Sequence, residues 1–307
     1  LIRNKEEIAV KGKKKKHNSG TSVNSKLLRR PIQRCFLLFL APTFGAFCIG
    51  FIYPFLRGIY LSFCEFVTIG DASFVGFRNY MDAFSDASFI HAFWYTALYA
   101  IVSLFLINIL AFAIAYLLTL GIKGANLFRT AFFMPNLIGG IVLGYIWQLI
   151  FNGILAKYST ALALNQWLGF WGLIILVSWQ QIGYMMIIYI AGLQSIPGEV
   201  MEAAQIDGAN SWQCLWKVTI PMMMPSITIC TFLSITNGFK LFDQNLSLTA
   251  GEPSKLSEMM ALNIYNTFYG RSGWEGVGQA KAVIFFVIVV AIGLIQLRAT
   301  RSKEVQQ

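Results

Sequence analysis

An all-helical membrane protein of six spans is the fold class this sequence predicts, and three observations carry the prediction. Of its 307 residues 56% are hydrophobic and only 12% are charged, about half the ~25% charged content of a soluble domain. The apolar residues gather into six runs, each near or above the ~20 residues a helix needs to cross a bilayer. The lysines and arginines between the runs fall unevenly on alternate sides, seventeen against four.

In chain order, residues 1–34 hold eleven lysines and arginines against Glu6 and Glu7. A stretch with so few apolar residues is expected to be disordered. Because it precedes a span, its charge reads as a topology signal and an attraction to anionic lipid rather than as a nucleic-acid site. The next run is too long for a signal-peptide core and reads as an uncleaved anchor. Spans are expected at about 36–63, 92–120, 128–150, 170–193, 222–242 and 277–297, followed by a short tail at 299–307. Continuous helices are the default, since lipid cannot satisfy open backbone groups. Pro42, Pro54, Pro135 and Pro225 are the positions where kinks are expected.

Orientation follows from counting the basic residues. The tail, Lys123, Arg129, Lys217, Arg298, Arg301 and Lys303 lie on one side, whereas Arg78, Lys157, Lys255 and Arg271 lie on the other. The positive-inside rule makes the first side cytoplasmic, so both termini face the cytosol. The chain is thus expected in a cytoplasmic or inner membrane as a multi-pass protein. Five scattered cysteines, Cys35, Cys48, Cys64, Cys214 and Cys230, have no ligand spacing and read as packing residues.

One cytoplasmic stretch stands apart. Residues 195–225 form a polar island between the fourth and fifth apolar runs. Leaving Glu199, Glu202, Asp207 and Lys217 at the bilayer centre would cost about 2.5–3.5 kcal/mol each. Its pattern predicts two short helices. Pro197 suits a first helical turn, and Glu199 and Glu202 lie near the positive end of that helix. Val200, Met201, Ala203 and Ala204 form an apolar stripe. Asp207-Gly208 ends the helix, and Asn210 or Ser211 caps a second one carrying Trp212, Leu215 and Trp216. Pro221 and Pro225 mark the return to the membrane. Two tryptophans and an apolar stripe facing water call for a partner.

Glu202-Ala203-Ala204, then Gly208, then Val218-x-Ile220-Pro221, resembles the EAA signature of permease subunits of sugar-type, binding-protein-dependent ATP-binding-cassette importers. Further likeness lies in Phe74 to Phe84 (F-V-G-F-R-N-Y-M-D-A-F), Phe128 to Asn136 (F-R-T-A-F-F-M-P-N), Ala191 to Pro197 and Phe242 to Gln244. The resemblance implies the type I importer permease fold over residues 35–298, with 195–221 as the loop that couples to the ATPase. It assigns that coupling to Glu202, Ala203, Ala204, Asp207, Gly208, Trp212 and Pro221. It also implies a dimeric cassette ATPase, a second permease subunit, either a paralogue or a copy of this chain, an extracytoplasmic solute-binding protein and a sugar or oligosaccharide cargo.

The chain itself holds no phosphate loop of the Gly-x-x-x-x-Gly-Lys-Ser/Thr kind, so ATP and magnesium are expected on the partner and no cofactor on this chain. No pair of acid and base residues suited to catalysis lies in the apolar runs; a transport subunit rather than an enzyme is expected. Transport leaves polar and aromatic residues at mid-depth instead. Asn136, Gln180, Tyr184, Asn237 and Phe239 are the candidates for a substrate path, and neutral amides and rings suit an uncharged polyhydroxylated solute. The same amides and glycines equally serve helix packing. Lys240 and Asp243 are spaced to pair with each other, and Arg57 and Lys281 to reach the outer headgroups. A permease for a glycerol phosphate, or a self-contained secondary carrier with broken helices and internal repeats, are the rival readings.

Overall fold

The computed structural model describes residues 40–301; the expected basic tail at 1–34 and the residues after 301 lie outside them. The chain divides into two compact units, Leu1–Gly58 and Ile59–Gln307. The first span is the helix α1, Leu40–Leu61. In its first unit Phe47, Phe51 and Phe55 stack one turn apart, with centroids 5.1 and 6.1 Å apart, around a π-turn at Cys48–Ile52.

The second unit opens with a small cap. Strands β1 (Cys64–Glu65) and β2 (Ser73–Phe74) pair antiparallel, and helix α2 (Arg78–Ser85) follows. Buried Asn79 holds the cap closed, donating to the carbonyls of Ser62 at 3.0 Å and Cys64 at 2.8 Å. Phe74, Phe77, Met81 and Phe84 stay exposed, as expected of an aromatic belt at a membrane interface.

Two long helices make the frame. α3 (Ala87–Thr119) starts at Asp86, whose carboxylate accepts the Ser88 N–H at 3.0 Å. α6 (Gln166–Gln194) starts at Asn165, which accepts from Trp167 N–H at 2.8 Å. Both begin about four or five residues before the expected spans because these polar caps satisfy the free N–H groups of the first turn. Small residues at Ala92, Thr96, Ala100, Ser103, Ala111 and Ala115 give α3 a narrow buried stripe, and helices in lipid approach closely along such stripes. Tyr95, Tyr99, Phe170, Leu173 and Leu176 fill one core. Ile107, Ala111, Ala115, Met185, Met186 and Tyr189 fill another.

Two of the six expected spans are not continuous. The run 128–150 divides into α4 (Ala125–Phe133), a 3₁₀ turn at Met134–Leu137, and α5 (Gly140–Leu155). Pro135 removes a donor, and Gly139-Gly140 adds backbone freedom, so the helix stops and restarts. The helix able to span is therefore Gly140–Tyr158, displaced toward the C-terminus. The run 222–242 also departs from a straight span. Helix α8 (Ser211–Met222) meets α9 (Met224–Phe239) at 70°. The 16 residues of α9 cover ~24 Å, short of the ~30 Å of hydrocarbon. A break at Lys240–Phe242 then leads into a short helix α10 (Asp243–Leu248). α11 (Met260–Gly270) and α12 (Glu275–Arg301) complete the unit.

Gly183 of α6 lies against the backbone of Phe132 and Phe133; a Cβ there would overlap the Phe132 carbonyl. Backbone atoms cannot move aside as a flexible side chain can. Gly183→Ala is thus expected to cost about 1–3 kcal/mol and to lower the melting temperature in detergent by several degrees. An unchanged melting curve would show that this crossing is loose.

Candidate functional site

The polar island folds as a self-contained arm. Helix α7 (Gly198–Ile206) begins at Pro197, which caps it from outside rather than sitting in its first turn. It ends as expected: Gly208 takes φ +81°, a conformation costly for residues with a Cβ. The Gly208 and Ala209 N–H groups donate to the carbonyls of Gln205 and Ala204, both at 3.0 Å, a Schellman closure. Asn210, not Ser211, caps α8 in a reciprocal box with Gln213, at 2.8 and 3.0 Å. Half-buried Met201 accepts from the Thr219 hydroxyl at 4.0 Å, which ties α7 to α8.

Glu202, Ala203, Asp207 and Trp212 are exposed, and Ala204 and Pro221 half-buried. Trp212 and Trp216 pack edge to face at 5.6 Å, and Ile206 is 85% exposed. The arm presents large apolar groups that nothing among the described residues covers, and such a surface marks a docking site.

A second site forms where the two broken spans meet. Gly140 sits so close to α10 that an added Cβ would lie 2.7 Å from the Asp243 Cβ and 2.9 Å from the Gln244 amide nitrogen. Gln180, at the midpoint of the 29-residue α6, links both breaks. Its Nε2 donates to the Ile138 carbonyl at 3.2 Å, and its Oε1 accepts from Gln244 Nε2 at 2.8 Å. Irregular backbone at membrane depth survives only where such groups are satisfied or line a cavity. Gln180 therefore has a clear structural duty here.

Of the other candidates for the path, Tyr184 is exposed on the same helix face, Asn136 and Asn237 are half-buried, and Phe239 is buried at 6%. The described hydrogen bonds do not join these four into the Gln180 node. Lys240 and Asp243 are both exposed and form no ion pair with each other among the described residues.

Lys281 departs from expectation most. Instead of reaching the headgroups it is wholly buried. Its Nζ donates to Asp86 Oδ2 at 2.7 Å, to Thr267 Oγ1 at 2.8 Å and to Asn263 Oδ1 at 3.0 Å. Arg271 adds an ion pair to Asp86 at 3.4 Å. Buried Glu258 accepts from Asn263 and Asn266. The cluster binds α12, α11 and the N-terminus of α3 to one another. Burial alone would raise the Asp86 carboxyl; the Lys281 hydrogen bond and charge, with the Ser88 hydroxyl and N–H, outweigh it and hold it at about 2. A further polar node joins Asn108, Tyr189 and Ser234 at 2.7 and 2.9 Å.

A frame of apolar helices long enough to span a membrane, two broken helices packed against one another and an ordered arm between two spans are the arrangement of a membrane transport subunit. A family model of the binding-protein-dependent transport system inner membrane component matches residues 109–302. The chain belongs to that family. It is 45% identical over 277 residues to the probable starch degradation products transport system permease protein AmyD of Thermoanaerobacterium thermosulfurigenes, covering 88% of this chain and 94% of the relative. It is 31% identical to the multiple sugar-binding transport system permease protein MsmF of Streptococcus mutans, over 84% and 92%. A chain in the crystal structure of a bacterial ABC transporter involved in the import of the acidic polysaccharide alginate shares its fold. The TM-score is 0.76 at 20% identity, over 90% of this chain and 98% of that one. The fold is that of an ABC importer permease.

Proposed function

We propose that this chain is the permease subunit of an ATP-driven importer of sugars or oligosaccharides, set in the cytoplasmic membrane with both ends and the arm inside. The observation that carries this reading is the arm: an ordered pair of short helices between two spans, exposing Ile206, Trp212 and Trp216. Such a surface fits the groove of a cytoplasmic ATPase dimer, where ATP and magnesium would be used. A second permease subunit, related to this one, would complete the path, and an extracytoplasmic binding protein would deliver the solute. Closure of the ATPase would move the arm as a lever and rock the spans between two packed states. The amides at the mid-depth node carry no net charge, which suits a neutral sugar. The relatives that transport starch products and multiple sugars support that cargo.

Two measurements test it. The tagged chain is expected to co-purify with a cassette ATPase encoded beside it, and Trp212→Ala with Trp216→Ala is expected to lower the retained ATPase at least ten-fold. Retention equal to wild type would remove the arm from the interface. Uptake of a phosphorylated glycerol but of no sugar would overturn the cargo.

A further inference from the structure

α11 has two faces. Asn263 and Thr267 turn toward Lys281, and the opposite face, with Ala261, Tyr265, Phe268 and Tyr269, lines an open groove of about 350 Å³. That volume lies in the range of small-molecule pockets. Phe242 lines it too, and Gln279 of α12 supplies an amide. Ring follows ring along it: Phe242 to Tyr265 at 5.3 Å, and Tyr265 to Tyr269 at 4.9 Å. Exposure rises along the series, with Phe242 half-buried, Tyr265 43% exposed and Tyr269 73% exposed. Phe242 is followed in the chain by Asp243 and then by Gln244, which bonds Gln180. The strip thus runs from exposed Tyr269 to half-buried Phe242, two residues from the Gln244 that bonds Gln180.

We propose that Phe242, Tyr265 and Tyr269, with Gln279, form an intake track that binds successive units of an oligosaccharide and sets the chain length the importer accepts. This rests on the sugar reading above and names a role for a surface outside the Gln180 node. The C–H face of a pyranose ring is apolar and slightly positive, and it matches the negative face of an aromatic ring. Tyrosyl hydroxyls and an amide at the rim exchange hydrogen bonds with the sugar hydroxyls. Rings about 5 Å apart allow one chain to touch several at once, so affinity grows with length. A monosaccharide or disaccharide would engage too few rings to gain much. The ion cluster behind α11 holds the strip rigid, so binding does not have to order it.

The test uses the full complex, with second permease, ATPase and binding protein, reconstituted in vesicles and given maltose, maltotriose and maltopentaose. Tyr265→Ala and Tyr269→Ala are expected to raise the KM for maltopentaose roughly ten-fold and that for maltose less than two-fold. Tyr265→Phe and Tyr269→Phe, which keep the rings, are expected to stay within two-fold for all three. An equal effect on every length would overturn the track. So would loss of the second permease from the purified alanine variants, which would make the strip a subunit contact. If the wild-type complex moved none of the series and no other sugar, the sugar reading would fall and the track with it; uptake of maltose but not of longer chains would overturn the track alone.

Discussion

Replacing Lys281 with methionine is expected to destabilise the protein by about 3 kcal/mol, the lower end of what breaking one side of a buried ion pair costs. Methionine fills a similar volume, so the loss comes from charge. Asp86 keeps Arg271 at 3.4 Å but loses its 2.7 Å partner, and Asn263 and Thr267 lose their donor. In detergent the melting temperature should fall by roughly 6–12 °C. Lys281→Met combined with Asp86→Asn should recover a substantial part, because no carboxylate is then left uncompensated at that point. If the single variant melted like wild type, the cluster would not bind α12 to α11. The pH dependence has a fixed sign. The Asp86 carboxyl is lowered from 3.8 to about 2 in the folded chain, so its contribution is complete above about pH 4 and is lost as pH falls toward 2. Stability carried by this pair should therefore be flat between pH 5 and 8.

Gly208→Asp should have the largest effect on transport. No atom crowds the position, since nothing lies within 4 Å of an added Cβ. The strain comes from the backbone at φ +81°, which costs a residue with a Cβ about 1 kcal/mol or more. Relieving it would turn α8 relative to α7 and shift the exposed Trp212 and Trp216. If the arm transmits force, the loss of a coupling energy of about 1–3 kcal/mol corresponds to a 5–150-fold fall in uptake. The variant should remain in the membrane with a near-normal melting temperature, and ATP hydrolysis should no longer respond to solute. Gly208→Asn, which tolerates the left-handed conformation better, should retain most uptake. Uptake at wild-type rates in the aspartate variant would refute the lever.

The arm was legible in the sequence almost residue by residue, because its determinants are local. A proline, a glycine after an aspartate and a capping asparagine each act within one turn, and the two tryptophans pack on each other and stay exposed. The long helices were legible for a similar reason, as lipid imposes apolarity on every residue it touches. Their ends were misplaced by only a few residues, where Asp86 and Asn165 act as caps.

The breaks were less legible. Pro135 signalled a kink, but prolines also occur in continuous spans. What the break needs in addition is a partner for its freed backbone, and the Gln180 side chain supplies one by donating to the Ile138 carbonyl. Gln244 was passed over as a site residue because its partner is 64 residues away.

The ion cluster was invisible. Lys281 and Asp86 are 195 residues apart, and a lone lysine near a span end reads as one that reaches for the headgroups. Sequence alone thus determined which stretches form long apolar helices and how the arm between two of them is shaped, since composition and neighbouring residues decide both. Only the tertiary structure decided which polar groups in the bilayer satisfy one another, because a buried hydrogen bond needs its partner brought by another helix, and nothing in one helix's own sequence records that partner.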